Sequence, residues 1–380
     1  MRKPELPGLT GIRFYGALFV YLSHVVILPG MGSLAGSTLV FNVGVVAVSF
    51  FFVLSGFILT YNYADSFSEG FSSSKYREFV LDRLTRIYPV HLLSMVILAP
   101  ISILSPNFPL DWRALPFHLT LLQSWWPSST PAFFRYFNVP SWALSCEWFF
   151  YVVAPAAMYF AFGNTRRWIL LAVAVIYGSA LWWVLSTNGE DSVRLHFVSW
   201  FAPSRLAEFL AGMLLAQMFL KWPRQSVAEW STFAQAIGIS MIVVGAIYRE
   251  HAPWPLWGGL LYLPGSAMLI LGLAGGRGLF VRLLDHPWIK RLGVASFAFY
   301  MLHGPLLSWT KNLCFYFGWE VKSWPTFWAV CITVFIMIQL ISLIVCWLFE
   351  APVERRLRTL IRTRGLGEQK MRGQPSSSIE

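Results

Sequence analysis

Apolar residues recur along this chain in runs of about 18 or more, the length a helix needs to cross a bilayer, with short polar stretches between them. Ten runs stand out, roughly at 10–28, 40–60, 87–104, 141–162, 167–185, 199–219, 232–248, 256–274, 292–312 and 326–348. Three segments break this rhythm. The polar, Ser-rich stretch 61–86 predicts a loop that ends in Arg83-Leu-Thr-Arg86-Ile-Tyr-Pro89 at the mouth of the third span. The segment 105–140 is long and aromatic, and its apolar stretch 115–126 is too short to cross; it lies in the interface or dips in and returns. The end of the chain, from about 361, reads as a disordered tail. The pattern thus predicts one membrane domain over 6–360 and a tail over 361–380, with no repeat of the kind that builds inverted-repeat transporters.

Composition agrees. Of 380 residues, 56% are hydrophobic and only 12% charged, about half the charged share of soluble domains. A water-soluble globule of this size lacks the polar cover to hide that much apolar surface. A soluble enzyme, a disordered chain, a coiled coil and a disulfide scaffold are excluded. The expected class is an all-α integral membrane protein, a bundle of about ten transmembrane helices.

The net charge of +11 invites a nucleic-acid reading, but its placement argues otherwise. If the connections alternate in side, one side holds only Arg113, Arg135, Arg194, Arg249, Lys311 and Lys322. Arg13 and Arg205 lie within spans, and every other Lys and Arg falls on the opposite side or at the ends. This asymmetry predicts that both termini are cytoplasmic, and an even number of spans fits. The basic excess sets topology; the expected partner is lipid, not nucleic acid. Arg2 and Lys3 before an apolar run resemble a signal peptide, yet no small-residue cleavage site follows and Arg13 interrupts the run, so the first span is read as retained. Cys146, Cys314, Cys331 and Cys346 form no close pair, and no His/Cys spacing suits a metal.

Ionisable groups inside spans are the candidates for chemistry, because the bilayer penalises them. Arg13 and His24 are eleven residues apart, so they fall about 20° apart on the helix wheel and about 16 Å apart along the axis. A neutral imidazole there can take a proton from a hydroxyl; the plainer alternative is an arginine that snorkels and a histidine with one structural bond. Glu147 lies about one and a half turns into the fourth span, deep enough that it must be paired or protonated. It can tune His24, position an acceptor hydroxyl or bond a neighbouring helix. Ser145 and Trp142, on the same span, are candidate acceptor contacts, although Ser141 and Ser145 can instead bond backbone carbonyls. Arg83 and Arg86 share a helix face and suit phosphate, or serve only as a positive-inside anchor. Arg205 and Glu208 at i, i+3 are expected to pair with each other. Ser296, Tyr300 and His303 can line one face of the ninth span, as an acceptor site or as a structural ladder. The outer-loop aromatics fit an interfacial belt.

Several of these stretches resemble the acyltransferase-3 family of membrane O-acyltransferases. Gly8-Leu-Thr-Gly-Ile-Arg13, ten residues and His24 form its opening, followed by Val48-Ser-Phe-Phe-Phe-Val-Leu-Ser-Gly-Phe57. Arg83-Leu-Thr-Arg86, Pro140-Ser-Trp-Ala-Leu-Ser-Cys-Glu147 and Arg205-Leu-Ala-Glu208-Phe-Leu-Ala-Gly212 come next. Leu292 to His303 and Phe349-Glu-Ala-Pro-Val-Glu354-Arg complete the ordered set. Cys146 stands where a branched apolar residue is more usual, and the esterase-like domain often found after an extra span does not follow. The resemblance implies transfer of an acyl group, usually acetyl, from cytoplasmic acyl-CoA to a hydroxyl, often on a carbohydrate of the cell envelope, at a bacterial plasma membrane. No permanently bound cofactor is implied; acyl-CoA is the donor substrate. The family's essential Arg/His pair maps to Arg13 and His24, and its paired arginines map to Arg83 and Arg86. The donor's pantetheine arm is about 16 Å when extended, which matches the Arg13–His24 separation. A multi-span carrier exporting a small metabolite or lipid-linked sugar is the rival reading.

Overall fold

The computed structural model describes residues 3–31, 43–68, 70–104, 111–126, 136–162, 191–251 and 259–371, with scattered positions between 172 and 183. Among the described residues every regular element is helical.

Helix α1 (Pro7–His24) carries proline in its first turn, where a missing N–H costs nothing. The apolar α2 (Gly44–Ser68) is followed after a few residues by α3 (Ser73–Leu104). The stretch 61–86, expected to be a loop, is therefore mostly helix. With 32 residues, α3 is about 48 Å long, well beyond the roughly 30 Å hydrocarbon core. Its first turns extend past the bilayer and hold Arg83 and Arg86 on ordered backbone.

The stretch 111–126 folds back against the bundle. It contains the short α4 (Leu115–Leu119), and His118, Leu121, Gln123 and Ser124 are buried. Its polar groups are met from three directions. His91 of α3 donates to the His118 carbonyl (2.9 Å), His196 donates to the Ser124 carbonyl (3.0 Å), and Gln123 donates to the Ser141 carbonyl (2.7 Å). Satisfying backbone this way is what lets a non-helical turn sit inside an apolar bundle.

Then come α5 (Trp142–Phe162), α6 (Asp191–Ser199) and α7 (Leu206–Lys221), the last entered through a 3₁₀ turn over Ala202–Arg205. Helix α7 lies along α2 at glycine contacts. A Cβ on Gly56 would strike the Phe209 carbonyl, and one on Gly212 would strike the Val53 carbonyl. Only glycine on both sides permits this approach. Next are α8 (Arg224–Tyr248), α9 (Leu263–Ala274), α10 (Leu279–Leu284), α11 (Pro287–Val294) and α12 (Ser296–Phe317). Helix α13 (Trp324–Val345) passes through a π-helical turn, Cys346–Glu350, into α14 (Ala351–Met371). Pro352 explains the turn: it has no N–H for the Leu348 carbonyl, and the wider ring of a π turn accommodates the break.

Among the described residues, six helices are long and apolar enough to cross a membrane: Gly8–Ile27, Gly44–Ser68, Ser73–Ile103, Val139–Phe160, Gln225–Tyr248 and the first part of Trp324–Thr363. The stretch 167–185 falls largely outside the described residues. The expected spans at 199–219 and 256–274 are shortened by 3₁₀ turns ahead of α7 and α9. The chain is thus an all-helical, multi-pass membrane protein in which ten full-length spans are not established. Helix α14 runs on into the stretch read as an irregular tail, as far as Met371.

Candidate active site

A cavity of about 200 Å³ lies between α1, α2, α3, α5 and α12. On α2 its lining runs from Val48 to Leu59, eleven residue steps or about 16 Å of helix. Arg83 and Arg86 stand on its α3 wall, with Arg13 supplied by α1. Arg83 donates to the Tyr63 hydroxyl (2.9 Å) and lies over the Tyr63 ring. The Nη1 of Arg86 meets Glu350 at 3.2 Å and Glu354 at 3.0 Å, carboxylates from either side of the π turn's end.

Glu147 lines the cavity wall from α5. Its Oε1 accepts from Tyr151, one helical turn on, at 2.6 Å and from Ser55 of α2 at 3.3 Å. Both donors use one oxygen, which leaves Oε2 for the cavity. Ser296 and Tyr300 of α12 form another part of the lining, and the Tyr300 hydroxyl donates out to the Pro140 carbonyl (3.0 Å).

His24 and His303 do not line this cavity; they form the layer beyond Tyr300, whose ring centroid is 5.7 Å from that of His303. The two imidazole centroids are 5.1 Å apart. His24 Nδ1 is 2.8 Å from the Val20 carbonyl, and His303 Nδ1 is 2.6 Å from the Tyr300 carbonyl. A carbonyl only accepts, so each Nδ1 carries the hydrogen. In the neutral rings both Nε2 atoms therefore hold a lone pair. His303 Nε2 is buried without a hydrogen-bond partner. Ser23 beside His24 packs on Gly44, one turn along α2 from Val48, so the imidazoles lie about 6 Å past the end of the cavity.

Arg13, Arg83, Arg86, Glu147 and Tyr300 thus share one cavity, with His24 and His303 paired just beyond it. Glu147 directs its hydrogen bonds to Tyr151 and Ser55 rather than to His24. Two residues expected to contact the acceptor are not among the residues lining this cavity. Ser145 donates to the Leu121 carbonyl (2.6 Å) and accepts from Ser124 (2.9 Å), holding the folded-back stretch in place. Trp142 is not among the lining residues; it packs against Phe52, which is, and near the Arg205 guanidinium. Arg205 and Glu208 pair with each other at 2.8 Å, as their spacing predicts. Sequence reasoning passed over Ser55, Tyr151, Glu350 and Glu354. Tyr151 was the accessible one, a hydroxyl one turn from Glu147 on the same face.

A family model described as an acyltransferase domain, acyltransferase-3, matches residues 6–347. The chain is 30% identical to the acyltransferase MdmB of Streptomyces mycarofaciens, over 86% of this chain and 85% of that one. It is 23% identical to the peptidoglycan O-acetyltransferase OatA of Listeria monocytogenes, over 81% of this chain but 50% of that protein, so it spans about half of that relative's length. It is 28% identical to the exopolysaccharide production protein ExoZ of Rhizobium meliloti, over 69% and 76%. No solved structure matches the chain significantly.

Proposed function

The chain belongs to the acyltransferase-3 family of membrane acyltransferases, and from that premise we propose that it moves an acyl group, acetyl in the simplest case, from acyl-CoA to a hydroxyl of a carbohydrate or similar acceptor. The observation that carries this reading is the cavity itself. Three arginines line it, it extends about 16 Å along α2, and it stops one turn short of a paired imidazole.

In this reading the donor's phosphates meet Arg83, Arg86 and Arg13, whose planar forks suit phosphate oxygens. The pantetheine arm, about as long as the cavity, passes Glu147, Tyr151 and Ser55, which offer hydrogen bonds to its amides. The thioester then reaches the imidazole level. His24 Nε2 takes the acceptor hydroxyl's proton as the oxygen attacks the thioester carbonyl. The C–O bond forms, the C–S bond breaks, and the proton on His24 leaves with the CoA thiolate. His303 and Tyr300 border the acceptor. The donor side is the cytoplasm, and the membrane is the plasma membrane of a bacterium.

Purified protein given acetyl-CoA and a sugar acceptor should release free CoA in an acceptor-dependent manner, read with a thiol reagent. His24→Ala should lower the rate at least about 100-fold with donor binding retained. Normal turnover by that variant would overturn the base assignment. Counterflow of a solute with no CoA released would instead establish a carrier.

A further inference from the structure

Arg86 lines the cavity but is held by two carboxylates that do not, and one of them is placed by the backbone. Glu350 ends the π turn Cys346–Glu350, and its side chain is 2% exposed. A carboxylate that deep is costly unless a cation compensates it. Its partner Arg86 is one of the three arginines that line the cavity. Both Glu350 and Glu354 meet Nη1. A guanidinium has five N–H donors in a rigid plane, so occupying Nη1 leaves the Nε–Nη2 edge for a ligand and fixes the direction in which that edge points. Glu354 is shared with Arg358, at 2.6 Å, on the more open side of the helix. Arg86 is the arginine in ion-pair contact with Glu350, and Arg13 acts on it from further off.

We propose that Glu350, turned inward by the π-helical turn ahead of Pro352, is a positioning residue that aims the free edge of Arg86 at the phosphates of the donor. The proposal rests on the acyl-CoA reading above and deepens it. The buried carboxylate serves orientation: a flexible cation at this site would spend its side-chain entropy on each binding event, and an anchored one does not.

The test compares two donors with the same thioester, acetyl-CoA and S-acetylpantetheine, which lacks the nucleotide and every phosphate. Steady-state rates are measured on the full-length wild type, Glu350→Gln and Glu350→Asp, the last keeping the charge on a shorter arm so that a folded variant is available. For Glu350→Gln the KM for acetyl-CoA should rise about tenfold, as expected for a weakened charge-assisted contact, with kcat within about twofold and the KM for S-acetylpantetheine unchanged. Glu350→Asp should show a smaller rise for acetyl-CoA alone. In an Arg86→Gln background, Glu350→Gln should add nothing further. If the KM of both donors moves together, or if acetyl-CoA binds more tightly once the carboxylate is neutralised, the proposal is overturned; the second result would make Glu350 a competitor of the donor. A wild type that consumes neither donor overturns the acyl-CoA reading itself, a result distinct from the other two.

Discussion

Arg205 and Arg86 are each paired with glutamates, and only Arg86 also lines the cavity. Arg205 of the turn before α7 meets Glu208 through two nitrogens, at 2.8 and 2.9 Å. Ser49 donates to the same carboxylate. Phe52 and Trp142 lie 5.2 and 5.9 Å from the guanidinium, and Gly259 presses against the pair at a φ of 132° where a Cβ would collide with both residues. Both side chains are almost wholly buried, at 2% and 1% exposure. Arg86 uses the same chemistry, but its two carboxylates meet a single nitrogen, and the residue lines the cavity. A charge inside a membrane bundle is therefore not a functional mark by itself. The mark is a charge whose partners leave a donor edge exposed to empty space.

That contrast can be broken experimentally. The largest effect is expected for Arg205→Ala, which strands Glu208 as an unpaired buried carboxylate. It should cost about 3–5 kcal/mol, read as a collapse of thermal stability in detergent. Arg86→Gln should leave the melting temperature nearer to the wild type while raising the donor KM about tenfold or more. Equal loss of stability in both would erase the distinction. Ser145→Ala comes next: losing the bond to the Leu121 carbonyl should cost about 1 kcal/mol and leave the donor KM untouched. A rise in KM for donor or acceptor would return Ser145 to the site. Last is Asp111→Asn in the outer segment. The Arg113 guanidinium bonded to Asp111 holds its carboxyl below the usual range. A depressed carboxyl stabilises the fold above its ordinary pKa and loses that contribution as pH falls through the lowered value. The Arg113 side chain is exposed, and a pair with one solvated partner is worth little, so the melting temperature should not change measurably with this substitution.

How much of this was legible beforehand depends on whether a feature lies within one helix. The membrane class, the common face of Arg13 and His24 and the pairing of Arg205 with Glu208 all follow from spacing along single helices, where 3.6 residues per turn fixes geometry. Contacts between helices were not legible. Ser145 and Ser55 look alike in sequence; one meets a folded-back loop and the other meets Glu147, and only packing decides which. The stretch 61–86 looked like a loop because its residues are polar, yet polar residues propagate helix readily once the helix leaves the bilayer. Full-length spans were expected at 199–219 and 256–274 because hydropathy does not register the turns at Pro203 and ahead of Pro264 that shorten the helices there. The carboxylates behind Arg86 were hidden for a similar reason, since regular 3.6-residue spacing does not foresee a π turn.

The reciprocal contact of Gly56 and Gly212 has a mechanical side. Helices whose backbones touch cannot slide or part without losing the whole contact, so α2 and α7 form one stiff plate. That plate carries the longest wall of the cavity, from Val48 to Leu59. An acceptor reaching the imidazoles needs some wall to yield, and the plate is the wall least able to do so. Compliance must come from α12, which is tied to the turn just before α5 by the Tyr300–Pro140 hydrogen bond, a bond that breaks and reforms easily. The bundle resembles a vice with one fixed jaw: the jaw sets the register of the long donor, and the moving side decides what is allowed to meet it.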